Sequence, residues 1–432
     1  MSISGALTSG VSGLQVNSSA LGAIADNISN SNTIGYKRTE SRFSTLVTQQ
    51  ISGTQYSPGG VQDNVQSEIS TQGLLSSSTS SLDAGISGQG FFVTTQTANA
   101  ATSDTHFYTR AGNWKADDDG FLKNTSGFYL RAWPTDSSGN VVNSSGTIVS
   151  TPSESTFSEL TSVNINSLQG TATPTSNLGL SVNLPASAAT GAANSVNTSV
   201  VVYDSLGDTH QLTFNWEKTA ALTWDVTVTI DDGGATVGAA YNGTPMTVVF
   251  NTDGTPATYE GAATPPALAI TGLTNAADDF NITLDLGTAN SADGITQVAS
   301  PYITNSVEQD GRSFGSLSGL SFDQSGFLNA TFDNGTSRPI FKVPLATFVN
   351  PDGMESRSGN VFIETAESGT FLLRAAQTGG SGSVEGGTLE QSTVDIAEEF
   401  TRMIVVQRAF SANTKTIQTA DEMLEELVRL KR

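Results

Sequence analysis

All thirteen prolines of the chain lie between Pro58 and Pro351, which leaves a proline-free stretch at each end. A proline inside a helix removes a backbone donor and clashes with the preceding turn, so the long helices of this chain belong at its two ends. In the first stretch Leu7, Leu14, Leu21 and Ile28 recur every seven residues, with Ile3 and Ile24 at the companion positions and Gly10 and Asn17 interrupting that second line. At the other end Leu389, Ile396, Met403, Phe410, Ile417 and Leu424 keep the same spacing over five heptads, broadened by Phe400, Val406, Ala420 and Leu427. A repeat of seven sustained over that length predicts a coiled-coil seam, because the apolar positions of an ordinary amphipathic helix drift with the 3.6 period. Asp395, Glu398 and Glu399 near the start of the second helix, and Arg429, Lys431 and Arg432 at its end, suit the helix dipole; Asp421, Glu422, Glu425 and Glu426 do not. Two such helices bury too little to offset the entropy of ordering them, so other copies of the chain are expected to supply further surface. An antiparallel hairpin packed on its own body is the alternative.

Between the ends the pattern becomes β. "GFFVTT", "FLKNTSGFYLRAW", "TSVVVYDSLGDTHQLTFNWEK", "TWDVTVTI" and "MTVVFNTDG" alternate apolar and polar residues between Gly, Asn and Asp turn signals. "DDDGFLKNT" from Asp117 and "DQSGFLNAT" from Asp323 match at Asp, Gly, Phe, Leu and Thr, each reading as a turn between strands. Two like hairpins so far apart fit one domain interrupted by an insertion, bordered by the Thr, Ala, Gly and Ser rich stretches Val142 to Ser158 and Gly287 to Pro301. The expected fold class is therefore α+β: long terminal helices forming a coiled-coil layer, plus two mainly antiparallel β-domains, the outer inserted into the inner. The boundaries read as 1–32 and 385–432 for the helices, 33–72 for a connecting segment, 73–145 and 300–384 for the inner β-domain, and 146–299 for the inserted one.

Composition removes several functions. Only 14% of residues are charged and the formal charge is -22, so no basic surface exists for nucleic acid, and an anionic membrane would repel the chain. There is no cysteine, hence no disulfide or thiolate metal site. The first twenty residues have neither a basic region nor an apolar core for a cleavable secretory signal, and no run reaches the length of a membrane span. His106 and His210 fall in different expected domains, which argues against a histidine nucleophile or metal centre. "DDDG" at Asp117 to Gly120 lacks the alternating ligands and distal Glu of a calcium loop. "GISGQG" at Gly85 to Gly90 runs into a strand rather than a helix, unlike a dinucleotide fingerprint. No catalytic, cofactor-binding or metal-binding residue is nominated.

Four motifs then coincide with a family. "ADNISNSNTIGYKR" (Ala25 to Arg38), "ISGQGFFVT" (Ile86 to Thr94), "YTRAGNWKADDDGFL" (Tyr108 to Leu122) and the terminal "GTLEQSTVDIAEEFTRMIVVQRAFSANTKTIQTADEMLEELVRL" resemble, in order, the bacterial flagellar rod and hook axial-protein family. "VVYDSLGDTHQLTFNWEK" (Val201 to Lys218) and the size of the insertion resemble its hook members; the likeness is poorest at Asp231 to Ser300. The resemblance implies a structural subunit that self-assembles into a curved, flexible tube transmitting torque from rod to filament, not an enzyme. It implies no cofactor, and as partners other copies of the chain, the distal rod, the hook-capping protein, the hook–filament junction protein and the flagellar type III export apparatus. The location would be extracellular. Asn27, Asn30, Asn32, Gly35, Tyr36 and Lys37 carry the family motif at the exit of the first helix, where Tyr36 and Lys37 are candidates for contacts between subunits. The assembly seam would be Leu7, Leu14, Leu21, Ile24 and Ile28 with Leu389, Ile396, Met403, Phe410, Ile417 and Leu424. A distal rod protein of the same family and an extracellular adhesin are the alternatives.

Overall fold

The computed structural model describes residues 3–46, 59–143, 145–166, 170–238, 241 and 244–429. The side chains of Ile3 and Leu427, the residues Lys431 and Arg432, and the middle of the expected connecting segment lie outside the described residues. The chain divides into two compact units. The first comprises Met1–Leu168, Leu320–Ala330 and Arg338–Arg432; the second comprises Gln169–Gly319 and Thr331–Ser337.

In the first unit both termini are helical, as the proline distribution requires. Helix α1 spans Ile3–Ser29 and α2 spans Ile396–Arg429. Asp395 caps α2, its Oδ1 accepting the Ala397 N–H at 2.8 Å and the Glu398 N–H at 3.3 Å. The heptad line begins one step too early: Leu389 lies in strand Thr388–Glu390, where it pairs with Ser76. Gly386 and Gly387, the latter in the left-handed region at φ 66, break any helix before it. A seven-residue spacing cannot distinguish a strand residue that happens to fall in register.

The β body of this unit is largely antiparallel. Strand Phe91–Thr95 lies between His106–Thr109 and Tyr129–Pro134, and Pro344–Thr347 also pairs with it. Its core gathers Phe91, Val93, Tyr108, Trp133, Leu160, Phe362 and Leu373. The two "D-x-x-G-F-L" hairpins both fall in this unit and have the same geometry. Asp117 Oδ1 accepts the Phe121 N–H at 2.7 Å and Asp323 Oδ1 the Phe327 N–H at 2.8 Å, with Gly120 and Gly326 at φ 84 and 82. The expected border at 145/146 falls too early: strand Thr161–Ser162 pairs with Tyr129–Pro134, and Phe157 and Leu160 pack into the same core. The expected border at 300 is early too, because Ile303–Gln309 pairs with Asn177–Asn183 of the second unit.

The second unit has two five-stranded sheets sharing one core. One runs in the order Val196–Tyr203, Thr209–Ala220, Thr223–Ile230, Met246–Phe250, Pro256–Tyr259, antiparallel throughout. The strict alternation of Thr209–Ala220 sends His210, Leu212, Phe214, Trp216 and Lys218 inward. The other has the order Thr236–Val237, Leu268–Thr271, Phe280–Asp285, Asn177–Asn183, Ile303–Gln309, with one parallel pair between Asn177–Asn183 and Phe280–Asp285. Leu178, Val200, Phe214, Trp216, Ile270 and Ile282 join the two sheets in one core.

The two histidines lie in different units. In the second, His210 Nε2 is 3.0 Å from the buried Asp204 carboxylate. In the first, His106 is stacked on Phe157 with ring centroids 3.7 Å apart, and Phe157 on Phe371 at 4.2 Å. Burial, reinforced by the nearby Arg131 cation, lowers the His106 pKa from 6.5 to about 4. The unfolded chain therefore takes up a proton that the folded chain refuses, and stability falls as the pH drops from 6.5 toward about 4. Thermal unfolding across that range is expected to show a steeper loss for the unaltered chain than for His106→Phe, which keeps the stack and removes the titration.

Candidate assembly interface

Helices α1 and α2 run antiparallel in the first unit. A Cβ built on Gly10 would stand 2.9 Å from Ile417 Cγ1, and one on Gly13 2.7 Å from Asn413 Nδ2, so position rises along one helix as it falls along the other. The residues of α1 that are buried are Gly10, Gly13, Val16, Asn17, Ala20, Ala23, Ile24 and Asn27. Gly10 and Asn17 thus do not interrupt the packing line. Gly10 and Gly13 are its close-approach points, because a residue without a side chain lets two backbones come together, and Asn17 is buried in the same line. Asn17 satisfies its buried amide by donating to the Gly13 carbonyl at 2.6 Å. Leu7, Leu14, Leu21 and Ile28 flank this line and are half-buried, while Ile24 is within it.

On α2 the line facing α1 is also displaced by one register. Glu399 and Ala420 are buried, with Arg402, Val406 and Asn413 half-buried between them. Met403 and Ile417 are half-buried, whereas Ile396, Phe410 and Leu424 are exposed. The predicted heptad line is therefore mostly a second apolar face, beside the one α1 covers. Phe400 and Ile404 extend it, and with Ile396 at 44%, Phe400 at 50% and Ile404 at 52% exposure its first three turns are uncovered.

The motif at Ala25 to Arg38 ties this helix pair to the β body. Asn27 closes a ring with Thr39: its Nδ2 donates to the Thr39 carbonyl at 2.8 Å and its Oδ1 accepts the Thr39 N–H at 2.9 Å. The Tyr36 hydroxyl donates to the same Oδ1 at 3.2 Å. Asn30 Nδ2 donates to the Asp26 carbonyl at 2.9 Å, ending the helix, and Asn32 is exposed. Gly35, at φ 66, turns the chain where a Cβ would come 2.8 Å from the Arg110 backbone carbon, a position that no other residue fits. Its N–H donates to the Glu390 carbonyl at 2.7 Å.

Glu390 is the centre of the junction and is fully buried. One carboxylate oxygen accepts Lys37 Nζ at 2.6 Å and the Gly73 N–H at 2.8 Å; the other accepts Arg110 Nη1 at 3.0 Å. Lys37 Nζ also donates to the Thr71 carbonyl, and Arg110 Nη2 to the Gly88 carbonyl at 2.8 Å. Burial pushes the Lys37 ammonium and the Arg110 guanidinium below their ordinary values, and the Glu390 carboxylate opposes both shifts. Lys37, expected to reach a neighbouring subunit, is instead enclosed within its own chain, and Tyr36 likewise bonds internally. Beside it Arg38 Nε stands 2.8 Å from Glu399 Oε1 as an ion pair with the N–H turned off the line between them. Arg402 Nη1 reaches Glu40 Oε1 at 2.7 Å, joining α2 to strand Thr39–Thr45.

Sequence reasoning missed Glu390, Arg110 and Arg38. A lone Glu in an acidic chain and an Arg inside "YTRAG" carry no local signal; the pairing appears only when residues hundreds of positions apart meet. Removing the shared carboxylate leaves two buried cations uncompensated. Glu390→Ala is expected to lower stability in urea titration by about 3–5 kcal/mol, whereas Glu40→Ala, at a more exposed pair, costs less than about 1 kcal/mol.

Among the described residues no group of His, Cys, Asp or Glu is placed to hold a metal ion, and no helix is long and apolar enough to cross a membrane. Four family models match. They are the flagella basal body rod protein at residues 7–37, the flagellar hook protein FlgE/F/G D1 domain at 85–190, the flagellar basal body protein FlaE D2 domain at 164–312, and the flagellar basal body rod FlgEFG protein C-terminal region at 385–430. The chain is 37% identical to the flagellar hook protein FlgE of Rhizobium meliloti, with 100% of each chain covered. It is 32% identical to that of Caulobacter vibrioides, again over 100% of both. It is 33% identical to that of Borreliella burgdorferi, covering 98% of this chain and 99% of the relative. Matched from end to end at these identities, the chain belongs to the flagellar hook protein FlgE family, whose members are structural proteins and not enzymes.

Proposed function

We propose that this chain is the repeating subunit of a curved tube that carries torque from the rod to the filament while it bends. Neighbouring α1–α2 pairs form its inner coiled-coil layer. The observation that carries this reading is the uncovered apolar face of α2, from Ile396 through Phe400, Ile404 and Phe410. One helix of a stable monomer does not leave such a stripe in water without a partner to cover it. Because every subunit has the same stripe, the partner that fits a closed, repeating assembly is another copy.

The inner layer carries torsion through packed apolar contacts. The outer surfaces, rich in Gly, Ser, Thr and Asn, make polar contacts that exchange partners as the tube bends. The expected further partners are the distal rod, the hook-capping protein, the hook–filament junction protein and the type III export apparatus. Export would proceed unfolded to the cell exterior, a passage that the lack of cysteine crosslinks favours.

Ile396→Asp and Phe410→Asp each place a charge on the uncovered face. They are expected to abolish polymerisation, followed by sedimentation and negative-stain microscopy, while near-ultraviolet circular dichroism of the β units stays unchanged. Leu14→Asp, on the flank of the helix pair, is expected to act in the same direction. Tubes formed at unaltered yield by all three variants would remove α2 from the assembly contact.

A further inference from the structure

The two like hairpins of the first unit differ at the tips of their turns. The turns at 117–120 and 323–326 have the same geometry, but the two central residues are Asp118 and Asp119 in the first and Gln324 and Ser325 in the second. The turn therefore does not need the two central carboxylates. Both are exposed, and neither has an ion-pair or side-chain hydrogen-bond partner among the described residues. Their backbone is held in place: Asp117 Oδ1 accepts the Asp119 N–H at 3.2 Å, the Asp117 carbonyl accepts the Gly120 N–H at 3.0 Å, and Asn164 Nδ2 donates to the Asp119 carbonyl at 3.3 Å. Elsewhere in the same unit a cavity of about 530 Å³ has the opposite charge. Trp133, Ile148 and Leu373 form its apolar wall, and Lys342 and Arg374 line it, with Glu154 as the acid among the lining residues. Lys342 Nζ lies over the Phe327 ring at 4.6 Å and Arg374 lies against Gly379; neither cation has an ion-pair partner among the described residues.

We infer that this cavity receives the acidic turn at 117–120 of a neighbouring copy, with Asp118 and Asp119 meeting Lys342 and Arg374. The inference rests on the reading of the chain as a tube subunit and adds a contact between β bodies to the one between helices. A chain of formal charge -22 repels copies of itself, so a cavity of net positive charge is the place on it that attracts an acidic segment of a copy. Turn and cavity are separate places on one body, because Asn164 and Asn166, which flank the turn, do not line the cavity. A contact between two unlike places is heterologous, and such contacts propagate into open helical assemblies, whereas a self-complementary patch closes into a dimer. Because the backbone of the turn is already fixed, little order is lost on docking. The apolar wall partly encloses the charges, and partly buried pairs are screened by salt less than exposed ones.

The test uses the full chain, seeded with sheared tubes, with the critical concentration read by sedimentation and folding by near-ultraviolet circular dichroism. Asp118→Gln with Asp119→Ser installs the residues that the second hairpin already carries, so the turn is kept and its two free charges are removed. This variant is expected to raise the critical concentration about fivefold. Lys342→Glu with Arg374→Glu, and separately Asp118→Lys with Asp119→Lys, oppose like charges and are each expected to raise it about tenfold. All four reversals in one chain, which restore complementarity with the signs exchanged, are expected to return it to near the starting value. A critical concentration unchanged by Asp118→Gln with Asp119→Ser overturns the inference, as does a folded four-fold variant that assembles no better than either parent. An effect confined to the cavity variants also overturns it, since another occupant would then fill the cavity. Failure of Ile396→Asp to affect assembly overturns instead the tube-subunit contact itself, so the two results separate.

Discussion

A single buried carboxylate joins the parts of the first unit that the chain order keeps apart. Glu390 sits at the foot of α2 and holds Lys37, which follows α1, Arg110, from the β body, and the backbone of Gly73. Two cations and one anion leave the cluster with net positive charge, which the carbonyls of Thr71, Ile86 and Gly88 disperse. A buried ion cluster is weak evidence of net stability, since apolar residues of the same volume do as well. Its value here is geometric. Hydrogen bonds to the carboxylate are directional, so they fix the exit of α1, the approach to α2 and the end of strand His106–Thr109 relative to one another. Gly35 and Gly73 belong to the same requirement: a Cβ on Gly73 would stand 2.2 Å from the Gln391 carbonyl oxygen.

That arrangement explains the Asn-rich motif at the end of α1. Asn27 imitates a backbone strand partner for Thr39, which lets the chain leave the helix and enter strand Thr39–Thr45 without a free donor. Lys37 is then enclosed, and Tyr36, half-buried, turns its hydroxyl to Asn27. Reading them as contacts between subunits was reasonable from a segment that follows an assembly helix, but a lysine that meets a carboxylate more than three hundred residues away gives no local sign of it. Sequence reveals a residue's chemistry and its spacing to near neighbours; it does not reveal which distant group completes it.

The same distinction separates what was legible in the helices from what was not. Proline placement and the repeat of seven located α1 and α2, and the alternation of residues such as Thr209–Ala220 located the strands. The side on which the helices meet was hidden, because the line looked for was large and apolar, whereas the contact is made by Gly10, Gly13, Asn17 and Ala20 against Val406, Asn413 and Ile417. The borders of the inserted unit were placed early for a related reason. Loop-like composition around Phe157 and before Ile303 marks weak local structure, yet Phe157 stacks into the first unit and Ile303 pairs into the second. Long-range pairing, not composition, decides where a unit ends.

The shift between expected and observed seams has a consequence for assembly. A helix whose largest apolar residues all faced its intrachain partner would be satisfied within the monomer and would have little reason to polymerise. Here small residues make the intrachain contact and leave Ile396, Phe400, Ile404 and Phe410 outside it. Close approach through glycine and alanine gives the pair stability from backbone proximity and dispersion, without using the large side chains. The large side chains are left exposed, on the face that the proposed function assigns to a second copy. Dividing the two faces of one helix in this way packs the helix pair within the chain and leaves the stripe of large side chains for the contact with a copy that the proposed function requires.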